Sequence, residues 1–210
     1  KIIRQKKNIG GIRNYNYLIN NSKFEFFFFL HSDDIVSKNY VEKCMQHMTS
    51  DKTVSIVVGK VYQSGRCYIG SHKLNFHSKS KRLINYFSNY YPDAYINGLI
   101  RKKFVKNFSL KFMSCEIPFL VELISNGRLK YSKECFYKKK GSIQGRPIEK
   151  RYDWYFLKKN LFTRYGYFFE CLKIIFKKLN IIESLMVALI FALYNLPILR
   201  IIFIKLKPYE

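Results

Sequence analysis

The chain has 210 residues, of which 48% are hydrophobic and 25% charged, a composition that supports a packed core and argues against wholesale disorder. Its 38 Lys and Arg against 14 Asp and Glu residues give a formal net charge of +24, which favours anionic partners: nucleotide phosphates, nucleic acid or an acidic lipid surface. The cysteines are scattered without a C-x-x-C pair, which favours reduced thiols in a cytosolic setting over a disulfide framework.

The first predicted elements are a helix and an aromatic strand. Apolar and aromatic residues recur at helical spacing over 12–21, which predicts a helix there. Residues 24–30 (FEFFFFL) form a nearly continuous aromatic run, which predicts a strand buried on both faces, as in a parallel sheet covered by helices. The polar turn 31–34 follows directly. In open α/β sheets such a turn, at the carboxyl end of a buried parallel strand, is where ligands bind.

Helix and strand patterns then alternate along the middle of the chain. The predicted elements are a helix over 39–48, a strand over 54–62, a basic loop over 64–80, a helix over 81–90, a strand and then a turn over 94–102, a helix over 116–126 ended by Gly127, and one or two edge strands over 129–140. Turn residues over 141–147 predict a boundary between a domain over 1–145 and a helical C-terminal region over 146–210.

The C-terminal region differs in composition. Residues 152–178 alternate aromatic and basic side chains at helical spacing, and residues 181–204 are strongly apolar. The uncharged stretch 185–199 is shorter than the ~20 residues that a membrane-spanning helix needs. An interfacial or re-entrant helix pair, broken near Pro197, fits this pattern better than a single span. The aromatic and basic alternation also fits stacking on nucleobases.

Asp33 and Asp34 carry the strongest chemical signal in the sequence. Two carboxylates at the end of a strand can hold a hard divalent cation, and that cation can neutralise a diphosphate leaving group. The alternative is that they cap the following helix, since Asp is a favoured cap.

Asn8, Gly10 and Gly11 precede the first predicted helix, and Arg13 lies in its first turn. Glycines before a helix let backbone N–H groups approach an anion, which the helix dipole also favours. Alone, such a turn is a weak signal that a structural role explains as well.

The segment 3–44 resembles the central signature of glycosyltransferase family 2. In that family an Asn-x-Gly turn and an Asn-bearing helix lead into an apolar strand and then an acidic DXD turn. The corresponding parts here are Asn8-Ile9-Gly10, Arg13-Asn14 and His31-Ser32-Asp33. The likeness covers roughly residues 1–140, strongly up to Cys44, and His31 stands where the usual pattern has its first Asp.

This resemblance implies a GT-A-like fold with a mostly parallel, Rossmann-like central sheet, helices on both faces and a C-terminal helical segment that associates with a membrane. The chain opens at Lys1 without a Met, and we expect the first strands of the fold to be missing and the activity to be low. The resemblance also implies an Mg²⁺ or Mn²⁺ ion bound by Asp33, with Asp34 as second choice. The residues implied to bind the nucleotide-sugar donor are Asn8, Gly10, Arg13, Asn14, His31, Ser32, Asp33 and Asp34.

A catalytic base is also implied, because inverting sugar transfer requires deprotonation of the acceptor hydroxyl. The family places an acid at the start of a later helix, in a pattern like Asp-x-x-Phe-x-x-Glu-Leu. Residues 116–123 fit that pattern, with Glu116 in place of the Asp and Glu122 as a plain helix-face residue. The alternative is that Glu116 only stabilises the helix N-terminus through the dipole. Asn97 and Gly98 resemble the segment on the acceptor side, although a plain strand turn explains them as well.

The implied enzyme transfers a single sugar from a nucleotide-diphosphate donor to a glycan or lipid-linked glycan in cell-surface glycan synthesis. No Gln-x-x-Arg-Trp follows Glu116, which argues against a processive polysaccharide synthase. We expect a cytoplasmic protein that lies on the inner face of the cell membrane through residues 152–206, with no nucleic-acid partner. Two alternatives stay open: a non-catalytic basic module that binds nucleic acid or an anionic membrane, and a membrane-attached remnant without turnover.

Overall fold

The structure is a computed structural model, and it describes residues 4–7, 9–63, 66–69, 75–88, 92–105, 116–139 and 161–195. The helices are α1 (Gly11–Asn21), α2 (Tyr40–Ser50), α3 (Lys79–Phe87), α4 (Glu116–Asn126), α5 (Leu161–Lys178) and α6 (Ile181–Asn195). The strands are β1 (Phe26–Phe27), β2 (Ile35–Val36), β3 (Val54–Gln63), β4 (Arg66–Ile69), β5 (Leu99–Arg101) and β6 (Arg128–Lys139). Short 3-10 helices span Pro92–Asn97 and Lys102–Phe104.

These strands form one mixed sheet in the order β1-β5-β3-β6-β2, with β4 paired to β3. Among the described strands only β3 and β6 run parallel, and the other pairs are antiparallel. The mixed α/β prediction is confirmed, but a mostly parallel sheet is not what this part of the chain forms. Only two residues separate β3 from β4 in the sequence, which permits only antiparallel pairing, whereas β6 returns to β3 after a long crossover that contains α3 and α4.

The aromatic run 24–30 forms much less strand than predicted. Only Phe26 and Phe27 pair in the sheet, antiparallel to β5, and Phe24 is 78% exposed. After Phe27 the chain leaves the sheet. Phe28 then packs against the Tyr40 ring of α2 at 5.9 Å, while Phe29 is buried among rings of other helices. Strand propensity reports only that aromatic side chains suit a half-buried pleated surface, and here only Phe26 and Phe27 form a strand.

Three further predictions need correction. The predicted loop 64–80 contains β4, and the order predicted over 94–102 is reversed, since a 3-10 helix precedes β5. The amide of Asn97 donates to the Ala94 carbonyl at 3.1 Å, and such local side-chain bonding favours a turn over a strand. β6 is not an edge strand, because it lies between β3 and β2.

The remaining elements are confirmed within a few residues, namely the helices predicted over 12–21, 39–48, 81–90 and 116–126 and the strand over 54–62. β3 is the buried centre of the sheet. Its residues Val54, Ile56, Val57, Val58 and Val61 are all 0–1% exposed. α2 packs on β3 and β6, α4 packs on α3, and the C-terminal helices form an outer layer in which α5 covers α4 and α6 covers α3.

Along the described ranges no helix combines the length and the apolar character needed to cross a bilayer. The boundary predicted over 141–147 and the break predicted near Pro197 lie outside the described residues. The division of the chain into two domains stays a prediction.

Candidate active site

A cluster of hydrogen bonds fixes the polar turn that follows the aromatic run. The hydroxyl of Tyr137 donates to Asp34 Oδ2 at 2.6 Å, and His31 Nδ1 lies 3.2 Å from the same oxygen. On the other side of the imidazole, the Tyr15 hydroxyl lies 2.6 Å from His31 Nε2. The turn itself is closed by the Asp34 N–H, which donates to the His31 carbonyl at 3.1 Å. These bonds connect α1, the turn and the end of β6.

Burial separates the roles of the two acidic residues. The Asp34 side chain is 7% exposed and faces Tyr137, which is fully buried. Burial, and then the bond to Asp34, raise the pKa of Tyr137 well above its ordinary value, so its hydroxyl keeps its proton and remains a donor. Asp33, one residue earlier, is exposed. Asp34 therefore holds the turn in place, and Asp33 offers its carboxylate to solvent.

Aromatic contacts bring the other predicted elements to the same place. The Tyr15 ring meets the Phe29 ring at 4.7 Å, and Phe29 meets Phe119 of α4 at 6.2 Å. Glu116 is the first residue of α4 and half-buried, and it lies one turn before Phe119 on the same helix face. The three segments that carry the predicted donor residues and the predicted base are thus joined through one line of ring contacts.

α1 is preceded by a glycine, Gly10, whose backbone conformation no other residue type adopts easily. Gly10 has a φ of 78°, and a Cβ added there would meet no atom within 4 Å, so the conformation and not crowding favours glycine. The helix starts with the Asn14 N–H bonded to the Gly10 carbonyl at 3.0 Å, and Arg13 and Asn14 are exposed. Asn8 lies outside the described residues. This helix start has the exposed polar groups that an anion site requires.

Asn97 and Gly98 lie in the core. Asn97 is fully buried, and its carbonyl accepts a 2.7 Å bond from the Tyr40 hydroxyl. A Cβ on Gly98 would come within 2.7 Å of the Val57 carbonyl oxygen, so β5 approaches β3 closely at this point. This placement supports the structural explanation of the pair, and their role on the acceptor side stays a prediction.

The metal-binding residues can be judged by the chemistry of their donors. Within the described ranges there is no group of three or more His, Cys, Asp or Glu side chains that could hold a metal ion. Asp34 Oδ2 is engaged by Tyr137, which leaves the exposed carboxylate of Asp33 as the candidate ligand. Mg²⁺ is commonly bound by one or two carboxylates together with substrate phosphates. Asp33 is therefore suited to bind an ion that diphosphate oxygens also bind. It does not suit a site whose ligands all come from protein side chains.

Sequence reasoning missed Tyr15 and Tyr137. Tyr137 lies 103 residues from Asp34 along the chain, and no motif links the two. Cys135, Phe136 and Tyr137 show no alternation of apolar and polar residues, so the sequence carries no signal that Tyr137 is buried while Phe136 is exposed. Glu122 bonds Lys178 at 3.0 Å and the Asn126 amide at 2.8 Å, as expected for a helix-face residue.

Comparisons with known proteins bear on the fold and the family. Three of the similar solved structures are of S. aureus TarS. TarS itself has a TM-score of 0.63 at 14% identity, covering 98% of this chain and 35% of that one. TarS 1-349 has a TM-score of 0.65 at 13% identity, covering 98% and 57%, and its complex with UDP-GlcNAc has 0.65 at 12%, covering 99% and 60%.

The chain therefore spans between about a third and three fifths of the length of these TarS chains. At this identity the likeness shows the fold, and it confirms the predicted GT-A-like class. No curated protein matches the sequence. The sequence model described as glycosyl transferase family 2 matches residues 1–110, more than half of the chain. The protein belongs to glycosyltransferase family 2.

Proposed function

We propose that this protein transfers a single sugar from a nucleotide-diphosphate donor to a hydroxyl acceptor. The observation that carries the proposal is the different environment of two neighbouring carboxylates. Asp34 accepts a hydrogen bond from the buried Tyr137, and Asp33, in the same turn, is exposed. A donor site needs one acid free to face a diphosphate.

The donor would lie between this turn and the start of α1. The exposed Gly10 immediately precedes α1, and the dipole of a helix favours phosphate oxygens at its N-terminus. Arg13 adds an exposed cation, and Asn14 an exposed amide. S. aureus TarS has been solved with UDP and with UDP-GlcNAc, which makes UDP-GlcNAc the first donor to test.

Asp33, together with diphosphate oxygens, would hold an Mg²⁺ or Mn²⁺ ion. Such an ion offsets the charge that develops on the departing diphosphate. His31, between Tyr15 and Asp34, is fixed on both ring nitrogens, so it orients the turn and stands beside the donor rather than acting as a mobile base.

Glu116 would accept the proton of the acceptor hydroxyl. It is the first residue of α4, one turn before Phe119, and the Phe119 ring meets Phe29, which lies two residues before the acidic turn. The acceptor oxygen would then bond to the anomeric carbon from the side opposite the departing nucleotide diphosphate, whose bond to that carbon breaks, and this single displacement would invert the configuration of the transferred sugar.

The acceptor and the location complete the proposal. The acceptor would be a glycan or a lipid-linked glycan used in cell-surface glycan synthesis, and the enzyme would work at the inner face of the cell membrane. The strongly basic chain supports this location, because its +24 charge favours an anionic surface.

Release of UDP from UDP-GlcNAc with Mn²⁺ and a panel of saccharide and lipid-linked acceptors tests the proposal. Glu116→Gln should lower turnover at least about 100-fold, the usual worth of a general base, without weakening UDP binding. Glu122→Gln on the same helix is the matched control and should keep turnover within a few-fold. Equal turnover in the Glu116→Gln variant and the unchanged chain would remove Glu116 from the mechanism.

A further inference from the structure

The exposed side of α6 is apolar, although the helix already buries its other side against the protein. Val187 and Phe191 are fully buried. The Phe191 ring meets Phe87 of α3 at 4.4 Å and stacks on Phe168 of α5 at 4.8 Å. These contacts hold α6 along the surface of the domain.

The opposite side of α6 forms a continuous apolar stripe. Its members are 45–77% exposed and are Ile181, Ile182, Leu185, Met186 and Leu189. At 100° per residue these positions fall within one arc of the helix. Isolated exposed apolar residues are ordinary on protein surfaces, but a row along two turns of one face marks an interaction surface.

α5 adds aromatic and basic side chains to the same outer layer. Phe169 is 58% exposed and Phe176 44%, and Lys173 and Lys177 are exposed beside them. Because α5 packs on α4, α6 packs on α3, and α5 and α6 pack on each other, the two helices lie side by side in one outer layer. We call these nine residues of α5 and α6 the outer face.

Glu183, the acid of α6, is turned away from the apolar stripe. Glu183 is partly buried, and its Oε1 accepts a 2.8 Å bond from the Ser80 hydroxyl of α3, while the Asn180 amide donates to Oε2 at 3.0 Å. Glu170, the other acid of these helices, is also partly buried. The exposed side chains of the outer face are therefore apolar, aromatic or positively charged.

We propose that the outer face docks on an anionic lipid bilayer, with the α6 stripe inserted at the headgroup level and Lys173 and Lys177 on the phosphates. The charge argues for this occupant. A second copy of the chain would bring the same lysines against each other, whereas anionic headgroups complement them. A helix with one buried and one apolar exposed side, flanked by aromatic and lysine residues, has the features of an interfacial helix. This inference rests on α5 and α6 alone and not on sugar transfer.

Flotation of the chain with vesicles tests the proposal. Vesicles of phosphatidylcholine with a quarter phosphatidylglycerol should bind the protein, and vesicles of phosphatidylcholine alone should bind it much less. The double variant Ile182→Gln, Leu185→Gln removes two of the most exposed apolar side chains and should weaken binding at least about 100-fold. The double variant Lys173→Gln, Lys177→Gln should weaken it about 30-fold, at about fivefold for each lysine near an anionic surface.

Matched controls lie on other surfaces. Val41→Gln removes an apolar side chain that is 44% exposed on α2, and Lys52→Gln with Lys133→Gln removes two exposed lysines far from α5 and α6 in the chain. Both control proteins should float with the vesicles to the same extent as the unchanged chain. Vesicle binding that survives the Ile182 and Leu185 changes, or that the controls lose equally, overturns the proposal. Sedimentation showing a dimer that these changes dissolve, without vesicle binding, would assign the face to a second copy instead.

The inference deepens the proposed membrane location, and its test is independent of the proposed sugar transfer. Turnover with a soluble saccharide acceptor should be the same in the Ile182 and Leu185 variant as in the unchanged chain. Loss of vesicle binding with that turnover intact separates a failure at the outer face from a failure of the sugar-transfer site.

Discussion

The hydroxyl of Tyr137, at the end of β6, donates a 2.6 Å hydrogen bond to the carboxylate of Asp34 in the acidic turn. Tyr137 is fully buried and its pKa is raised, so this bond persists wherever the protein is folded near neutral pH. The turn that carries Asp33 is therefore positioned by the sheet, and not by local backbone preferences alone. Substitutions in the sheet should therefore change the position of Asp33.

Tyr137→Phe removes this bond and leaves the buried Asp34 oxygen with His31 as its neighbour. Because hydrogen bonds to charged groups contribute more than neutral ones, the free energy of unfolding should fall by about 2 kcal/mol. UDP binding should weaken about tenfold, as when a residue that orients a metal ligand is lost. Urea unfolding and calorimetric titration measure the two effects.

Tyr131→Phe is the control on the same strand. The Tyr131 hydroxyl is buried and has no hydrogen-bond partner within the described part of the chain, so its removal should leave stability within about 0.5 kcal/mol or raise it. Equal losses in the two variants would mean that the bond to Asp34 has no special role.

Arg82→Met should destabilise the fold strongly. Arg82 is 5% exposed, and its guanidinium donates to four backbone carbonyls, among them those of Ile124 and Ser125 at the end of α4. The substitution leaves these carbonyls without their donor, and should cost about 3 kcal/mol or more. Thermal unfolding measures this loss of stability. The control is Lys81→Met at an exposed neighbouring residue, which should change stability by less than about 0.5 kcal/mol.

Asp51 should make stability depend on pH. Burial alone would raise the pKa of this carboxyl, but bonds from Thr53 and Lys130 and the charge of Arg128 outweigh it and hold the pKa at about 2. An unfolded Asp has a pKa of about 3.9, so the stabilisation is complete above about pH 4 and is lost as the pH falls towards 2.

Asp51→Asn should therefore lower the free energy of unfolding by about 1–2 kcal/mol at pH 7, after allowance for solvent screening, and the difference should shrink below pH 4. Urea unfolding at a series of pH values measures it. Glu42→Gln, at an exposed acid of α2, is the control. A difference between Asp51→Asn and the unchanged chain that stayed constant down to pH 3 would contradict the assignment.

Gly98→Ala tests whether Gly98 is a packing residue. The added Cβ would lie 2.7 Å from the Val57 carbonyl oxygen and from side-chain carbons of Ile56 and Val58. Overpacking against backbone should cost about 3 kcal/mol. Gly10→Ala, with open space but a φ of 78°, should cost only about 1 kcal/mol. A stable Gly98→Ala variant with altered acceptor use would instead favour a role for Gly98 at the acceptor.

Local patterns predicted the helices well, because the apolar periodicity that defines α2 or α4 can be read from residues that are adjacent in the sequence. The aromatic run 24–30 was mispredicted because partners decide its structure: Phe28 and Phe29 bury against helices from elsewhere in the chain. In the site, Asp33 and Asp34 were found as neighbours in a motif. Their different roles were not predictable, since Tyr137 reaches Asp34 only once β6 has joined the sheet.

The most direct test of the donor site is calorimetric titration of UDP with Mn²⁺ into the unchanged chain, Asp33→Asn and the control Glu42→Gln. The account predicts binding that requires the metal, survives Glu42→Gln and is lost in Asp33→Asn, while urea unfolding shows all three proteins equally stable. UDP binding that is the same without metal and in Asp33→Asn would contradict it, and would leave the acidic turn as a purely structural feature.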